Sequence, residues 1–173
     1  MKELETKRLR LRYINENDVE TAFNAWTSDP EVTKYLTWNA HASIDETKYI
    51  FDIWIKEYED PDTYRWGIER KEDNALMGMI DVVRVEDGAP VIGYCTAKMY
   101  WGNGYMTEAL GAVVEELFDN GIDTIKISAV DENIGSNRVI EKCGFRFVNK
   151  TIEALSEMKP DTIVTINNYR IDR

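Results

Sequence analysis

Trp101-Gly102-Asn103-Gly104-Tyr105-Met106-Thr107-Glu108-Ala109 decides the fold. Residues from about 90 to 97 read as a strand before it. After it, Leu110, Val113, Val114 and Leu117 fall on one helical face. The stretch therefore joins a strand to a helix start. Glycines at such a junction let the backbone turn so that several N–H groups converge. Together with the helix dipole they make an anion site suited to a phosphate or pyrophosphate. No Gly-Lys-Ser/Thr follows, so this is not a Walker loop. The third glycine and the later acidic residue of a dinucleotide fingerprint are missing as well. A plain tight turn with Thr107 as N-cap is the alternative reading, and Thr107 can serve both.

Upstream, Arg8 to Tyr13 alternates polar and apolar residues, the mark of a half-buried strand. Val19, Ala22, Phe23 and Trp26 line one helical face, and Asp29-Pro30 ends it. Ser43-Ile44-Asp45-Glu46 has the form of a capping box opening a second helix, with Ile50, Trp54 and Tyr58 along its stripe. Tyr64, Trp66 and Ile68 alternate again, and turns at Lys71–Asn74 and Asp87-Gly88 separate strands near 75–85 and 90–97. Downstream, Gly121 closes the helix, Ile125, Ile127 and Ala129 form a strand, and Gly144 ends a short helix. Two last strands fall near 145–152 and 162–170. The order predicts an α+β fold: a mixed, mostly antiparallel sheet flanked by helices, with at least one crossover that places strands parallel.

The chain has 173 residues, enough for one domain with a core of its own. Apolar residues at 43% exclude a disordered composition. Lys plus Arg is 21 and Asp plus Glu is 32, a net charge of −11 that argues against a nucleic-acid partner. Cys95 and Cys143 stand apart and His41 is the sole histidine, so no metal site is expected. The cysteines read as small buried hydrophobes, fitting a reducing compartment. No apolar leader and no membrane-length apolar run is present, so a cytoplasmic protein is expected.

Several blocks resemble one family in order. Trp101 to Ala109 resembles the pyrophosphate loop of the GNAT N-acetyltransferase superfamily, and more narrowly its RimJ/RimL-type branch. Leu4 to Arg12 is similar to that branch's opening strand, and Ser28 to Leu36 to its first interhelical segment. Ile92-Gly93-Tyr94 resembles the strand that splays from its parallel neighbour to admit pantetheine. Asn133 to Ser136 and Glu141 to Phe145 resemble the block after the next strand. The resemblance covers nearly the whole chain and implies one N-acetyltransferase domain over 1–173, with splayed central parallel strands.

The resemblance implies acetyl transfer from acetyl-CoA to an amine, directly in a ternary complex and without a metal. Cofactor contacts would come from Trp101, Gly102, Asn103, Gly104, Tyr105, Met106 and Thr107 in the loop. Tyr94, Cys95 and Thr96 would supply a strand edge for pantetheine, and Asn133 would reach its arm. Three departures stand out. Trp101 replaces the usual Gln or Arg, Met106 occupies a Gly or Ala position, and Ile140 stands where many members have a tyrosine acid. Ser136 becomes the candidate for protonating the leaving thiolate, or else it only caps its helix. Val91 replaces an acid common on the splayed strand, so Asp81 or a water is the candidate base, with Asp131 and Glu132 weaker.

Residues 15–62 hold twelve acids and three bases, −9 of the total −11. The resemblance places this segment beside the acceptor cleft, where it favours a cationic acceptor, or it is only a solvated face. Trp38 is a candidate for lining that cleft. An α-amine needs less help to lose its proton than a lysine, which points to a protein N-terminus. A small cationic amine and a non-catalytic acyl-CoA-binding module are the alternatives. A monomer and a homodimer are both compatible with the sequence, and neither a nucleic acid nor a membrane is expected.

Overall fold

The computed structural model describes residues 1–173. Eight strands form one sheet: β1 (Leu4–Glu5), β2 (Leu9–Arg12), β3 (Arg65–Arg70), β4 (Ala75–Glu86), β5 (Ala89–Thr96), β6 (Thr124–Val130), β7 (Arg146–Ser156) and β8 (Lys159–Asp172). Their order is β1-β2-β3-β4-β5-β6-β8-β7, antiparallel throughout except between β5 and β6. The helices are α1 (Val19–Ala22), α2 (Pro30–Thr33), α3 (Ile44–Glu57), α4 (Tyr105–Asp119) and α5 (Ile134–Lys142). The mixed, mostly antiparallel sheet expected from the sequence is the one observed.

Alternation along β4 sends neighbouring side chains to two cores. Ile80 joins Leu9, Leu11, Trp66 and Ile127 beneath Leu110, Val113 and Leu117 of α4. Met79 joins Trp26, Val32 and Phe51 from the α1–α3 side. Truncating a buried leucine such as Leu110 to alanine costs about 2–5 kcal/mol, so each core is an anchor for the helices that frame the site.

Local chemistry sets most boundaries. Ser43 caps α3 by accepting from the Glu46 N–H, while the Glu46 carboxylate turns to the Ala42 N–H, so only half of the expected box forms. Asp87 and Gly88 both have positive φ, 52° and 78°, as a tight two-residue hairpin turn requires. The first helical face is less regular than its spacing suggests. It runs from a 3-10 turn at Glu16–Asp18 through α1 into a π-helical stretch at Phe23–Thr27. Trp26 is fully buried there, while Phe23 is only half-buried because the wider turn rotates it outward.

The feature that creates the site is a short parallel pairing. β5 and β6 share register only at Val91↔Lys126 and Ile92↔Ile127, then diverge. Tyr94, Cys95 and Thr96 keep their pairing to β4 but have no partner on β6. Gly78 permits this course. A Cβ there would stand 2.1 Å from the Cys95 carbonyl oxygen, so only glycine lets β4 approach the free stretch of β5.

Candidate active site

A cavity of about 560 Å³ opens where β5 and β6 part. Its walls are the free edge of β5, the loop from Tyr100 to Thr107 except Asn103, the inner face of α5, and the α2 segment with Glu31, Val32, Tyr35 and Leu36.

The loop is built for an anion. Gly102 and Gly104 both sit at φ 75°, a left-handed conformation that glycine adopts without strain. Gly104 is the N-cap of α4 and has no side chain to satisfy the first helical N–H groups. The first in-helix bond runs from the Glu108 N–H to the Gly104 carbonyl, leaving the preceding amides free for a ligand. Thr107 is therefore a first-turn residue of α4 and not its cap. The Met106 side chain is buried in the core, so it does not narrow the loop. Trp101 donates from Nε1 to the Thr96 carbonyl at 2.9 Å, tying the loop to the end of β5.

Asn103 lies behind the loop, outside the lining. Its side-chain amide donates to the carbonyls of Tyr100 and Trp101. Its own carbonyl accepts from Arg8 at 3.0 Å. Glu108 holds Arg8 in place, accepting from the Arg8 N–H at 2.8 Å, from Arg8 Nε at 2.7 Å and from Thr6 Oγ1 at 2.6 Å. The Arg8 guanidinium also covers the Tyr105 ring at 4.3 Å. This clamp escaped sequence reasoning, because nothing local links residues one hundred positions apart.

Two hydroxyls meet across the gap. Tyr94 Oη lies 2.8 Å from Ser136 Oγ, and both residues line the cavity. Asn133 caps α5 by accepting from the Ser136 N–H at 3.2 Å, which releases the Ser136 hydroxyl from capping. Behind it, Asn137 donates to the Val130 and Asn133 carbonyls and accepts from Asn167 and Tyr169, fixing the start of α5. Burial pushes the Tyr94 phenol above its ordinary pKa, opposed by the Ser136 bond, so it stays protonated. Ile140 is fully buried in the core, so that helix position presents no group to the cavity.

Cys95 lines the cavity, but burial, reinforced by the Asp81 charge, pushes its thiol up to about 12. A thiol held neutral is a poor nucleophile. Asp81 lies outside the lining, with Arg65 Nε 3.2 Å from its carboxylate. Burial pushes Asp81 up to about 6 against the pull of Arg65. Arg65 is itself held by Glu57 and lies over the Trp54 ring. Trp38 is also outside the lining, half-buried with its ring 5.2 Å from that of His41. His41 is buried, 2.8 Å from Thr47 Oγ1, and burial lowers its pKa against the raising effect of Glu46.

The charged residues of the lining divide along α5. Glu132 stands just before its start and, with Glu31 from α2, supplies the acids. Arg138 and Lys142 lie farther along α5 and supply the cations. An unpaired strand edge, a glycine-shaped amide loop and a cationic wall fit a pantetheine arm that ends in phosphates.

The profile of the acetyltransferase (GNAT) domain family matches residues 8–146. The chain belongs to this family. A relative named as an uncharacterized N-acetyltransferase, YoaA of Bacillus subtilis (strain 168), is 32% identical over 146 residues, covering 83% of this chain and 82% of YoaA. A RimL ribosomal L7/L12 α-N-protein acetyltransferase solved with coenzyme A has a TM-score of 0.85 at 20% identity, covering 99% of this chain and 98% of its own. A spermidine N-acetyltransferase from Vibrio cholerae has a TM-score of 0.79 at 17% identity and covers 96% of both chains. This GNAT protein is thus an acetyl-CoA-dependent N-acetyltransferase.

Proposed function

We propose that the protein acetylates the α-amine of a peptide N-terminus by direct transfer, with Ser136 serving the leaving sulfur. The observation that carries the reading is the Tyr94–Ser136 hydroxyl pair, 2.8 Å apart between the free edge of β5 and the start of α5. The acceptor nitrogen forms its bond to the acetyl carbonyl carbon as the carbon–sulfur bond breaks. Ser136 Oγ–H gives its proton to the sulfur, and the proton lost by the amine restores the balance through solvent. Tyr94 Oη–H donates to Ser136 Oγ and fixes its direction, making Tyr94 a positioning residue. When bound, acetyl-CoA supplies an activated acyl group, and the cavity's task is placement and exclusion of water. The buried thiol of Cys95 supports direct transfer over an acyl-enzyme.

The choice of amine follows from what the lining lacks. It contains no histidine, Glu31 is paired with Lys98, and Glu132 just before α5 is its one carboxylate outside an ion pair. At pH 7, neutralising an α-amine costs about 1.4 kcal/mol, while a lysine side chain costs about 4.6 kcal/mol. A cavity without a strong base serves the first far better. The RimL neighbour acts on a protein α-amine by name, which agrees. A second reading, acetylation of a small polycation, draws on Glu31 and Glu132 in the lining and on the spermidine acetyltransferase neighbour. Comparing kcat/KM at pH 7 for a short peptide with a free α-amine and for spermidine separates the two. At least a tenfold advantage for the peptide is expected, and the reverse order overturns the α-amine assignment.

A further inference from the structure

Cations near the cavity are few in a chain of charge −11, and most are already neutralised. Arg8 is held by Glu108, Arg70 by Asp73, and Lys98 by Glu31. Arg138 and Lys142 differ. Both line the cavity, both are exposed, and neither has a carboxylate within 4.0 Å. Glu141 follows Arg138 by three positions on α5, a spacing that commonly pairs, yet no ion pair forms.

Arg138 and Lys142 lie one turn apart and share a face of α5. A contact between helices fixes where that face stands. Cys143 Sγ lies 3.4 Å from the Thr107 carbonyl, so the end of α5 meets the first turn of α4. The two cations therefore share the loop's end of the cavity, away from the acids at the α2 end.

The free amides of the loop and of α4 suit one pyrophosphate. Coenzyme A carries a further phosphomonoester on the ribose 3′ oxygen. Such a group bears about −1.5 to −2 charges at pH 7 and takes charge-assisted hydrogen bonds. We infer that Arg138 and Lys142 form a 3′-phosphate subsite and make the protein discriminate coenzyme A from its 3′-dephospho form. This inference rests on the acetyl-CoA reading of the cavity and adds a residue-level basis for cofactor selection. The subsite recognises a phosphomonoester beside a pyrophosphate, which pantetheine and simple acyl-pantetheine thioesters lack.

The test is calorimetric titration of coenzyme A and dephospho-coenzyme A into the wild type, R138Q/K142Q and the charge-conserving R138K/K142R. The wild type is expected to bind coenzyme A at least tenfold more tightly, about 1.4 kcal/mol. In R138Q/K142Q the preference falls below threefold, because only coenzyme A binding weakens. R138K/K142R retains most of it. Thermal melts confirm that the variants fold. A wild type that binds both ligands within twofold overturns the inference. So does equal weakening of both ligands in R138Q/K142Q, which would assign the cations to the pyrophosphate. Failure of the wild type to bind either ligand would instead overturn the cofactor reading itself.

Discussion

At the scale of single residues, the proposed mechanism rests on the Tyr94–Ser136 contact. Ser136→Ala removes the donor to the leaving sulfur and is expected to lower kcat by about a hundredfold, within the usual range for a positioned acid. Tyr94→Phe leaves Ser136 in place but frees its rotation, and a drop of about tenfold is expected. Neither change should move acetyl-CoA affinity more than about threefold, because the loop amides are untouched. Stopped-flow kinetics with parallel binding titrations check both. Unchanged kcat in Ser136→Ala would return Ser136 to a purely structural place. The sequence pointed to Ser136 but not to its partner. For Tyr94 the sequence shows only a strand-edge backbone, because nothing local reveals that its hydroxyl reaches α5, forty-two positions on.

Structural elements show where periodicity informs and where it stops. α4 follows its apolar spacing closely, burying Leu110, Val113, Val114 and Leu117 along one stripe, whereas the buried centre of α3 is Thr47 and Phe51 and not the Ile50 side of its stripe. β1 and α2, of two and four residues, are too short to have a period. The close approach of β4 to the free stretch of β5 depends on Gly78, whose role is set by the strand that lies beside it. Gly78→Ala is expected to push β5 away from β4, lower Tm and weaken acetyl-CoA binding together. Normal binding in a folded Gly78→Ala would detach this glycine from the site. The β7–β8 hairpin supplies another element-level contact. Its tip ties down the wall beside α2, with Lys159 Nζ donating to the Thr33 and Leu36 carbonyls and Ser156 Oγ to the Thr37 carbonyl. Lys159→Met should raise the acceptor KM severalfold while leaving that of acetyl-CoA unchanged, as steady-state kinetics with each substrate varied will show.

Asp81 gives the same framework a pH dependence. Its pKa in the folded state is raised to about 6, above the ordinary carboxylate value. The folded chain therefore holds this proton more tightly than the unfolded chain. Between about pH 4 and 6 this carboxyl lowers stability as pH rises, the reverse of an ordinary ion-paired carboxylate. Urea denaturation of the wild type and Asp81→Asn across that range isolates the term, because the other acids cancel in the difference. The wild type should lose stability relative to Asp81→Asn as pH rises. A gain would mean that the Arg65 pair outweighs burial.

At the scale of the whole molecule, charge separates the two substrates. The acidic segment 15–62 surrounds the α1–α3 side and carries −9. The cofactor is an anion, so the proposed site captures it through local amides and the cationic face of α5. A basic acceptor gains from the long-range field. Placing lysines downstream of a peptide α-amine should lower its KM at low salt, and the advantage should fade toward about 0.3 M as screening shortens the field. A salt-independent advantage would point to a specific contact. The most direct test of the cofactor site is hydrogen exchange with and without acetyl-CoA. Protection should appear at Tyr94–Thr96 and at Gly102–Thr107, where the free strand edge and the loop amides meet the ligand. Protection confined to other segments, or none at saturating acetyl-CoA, would contradict the placement of the cofactor between β5 and β6.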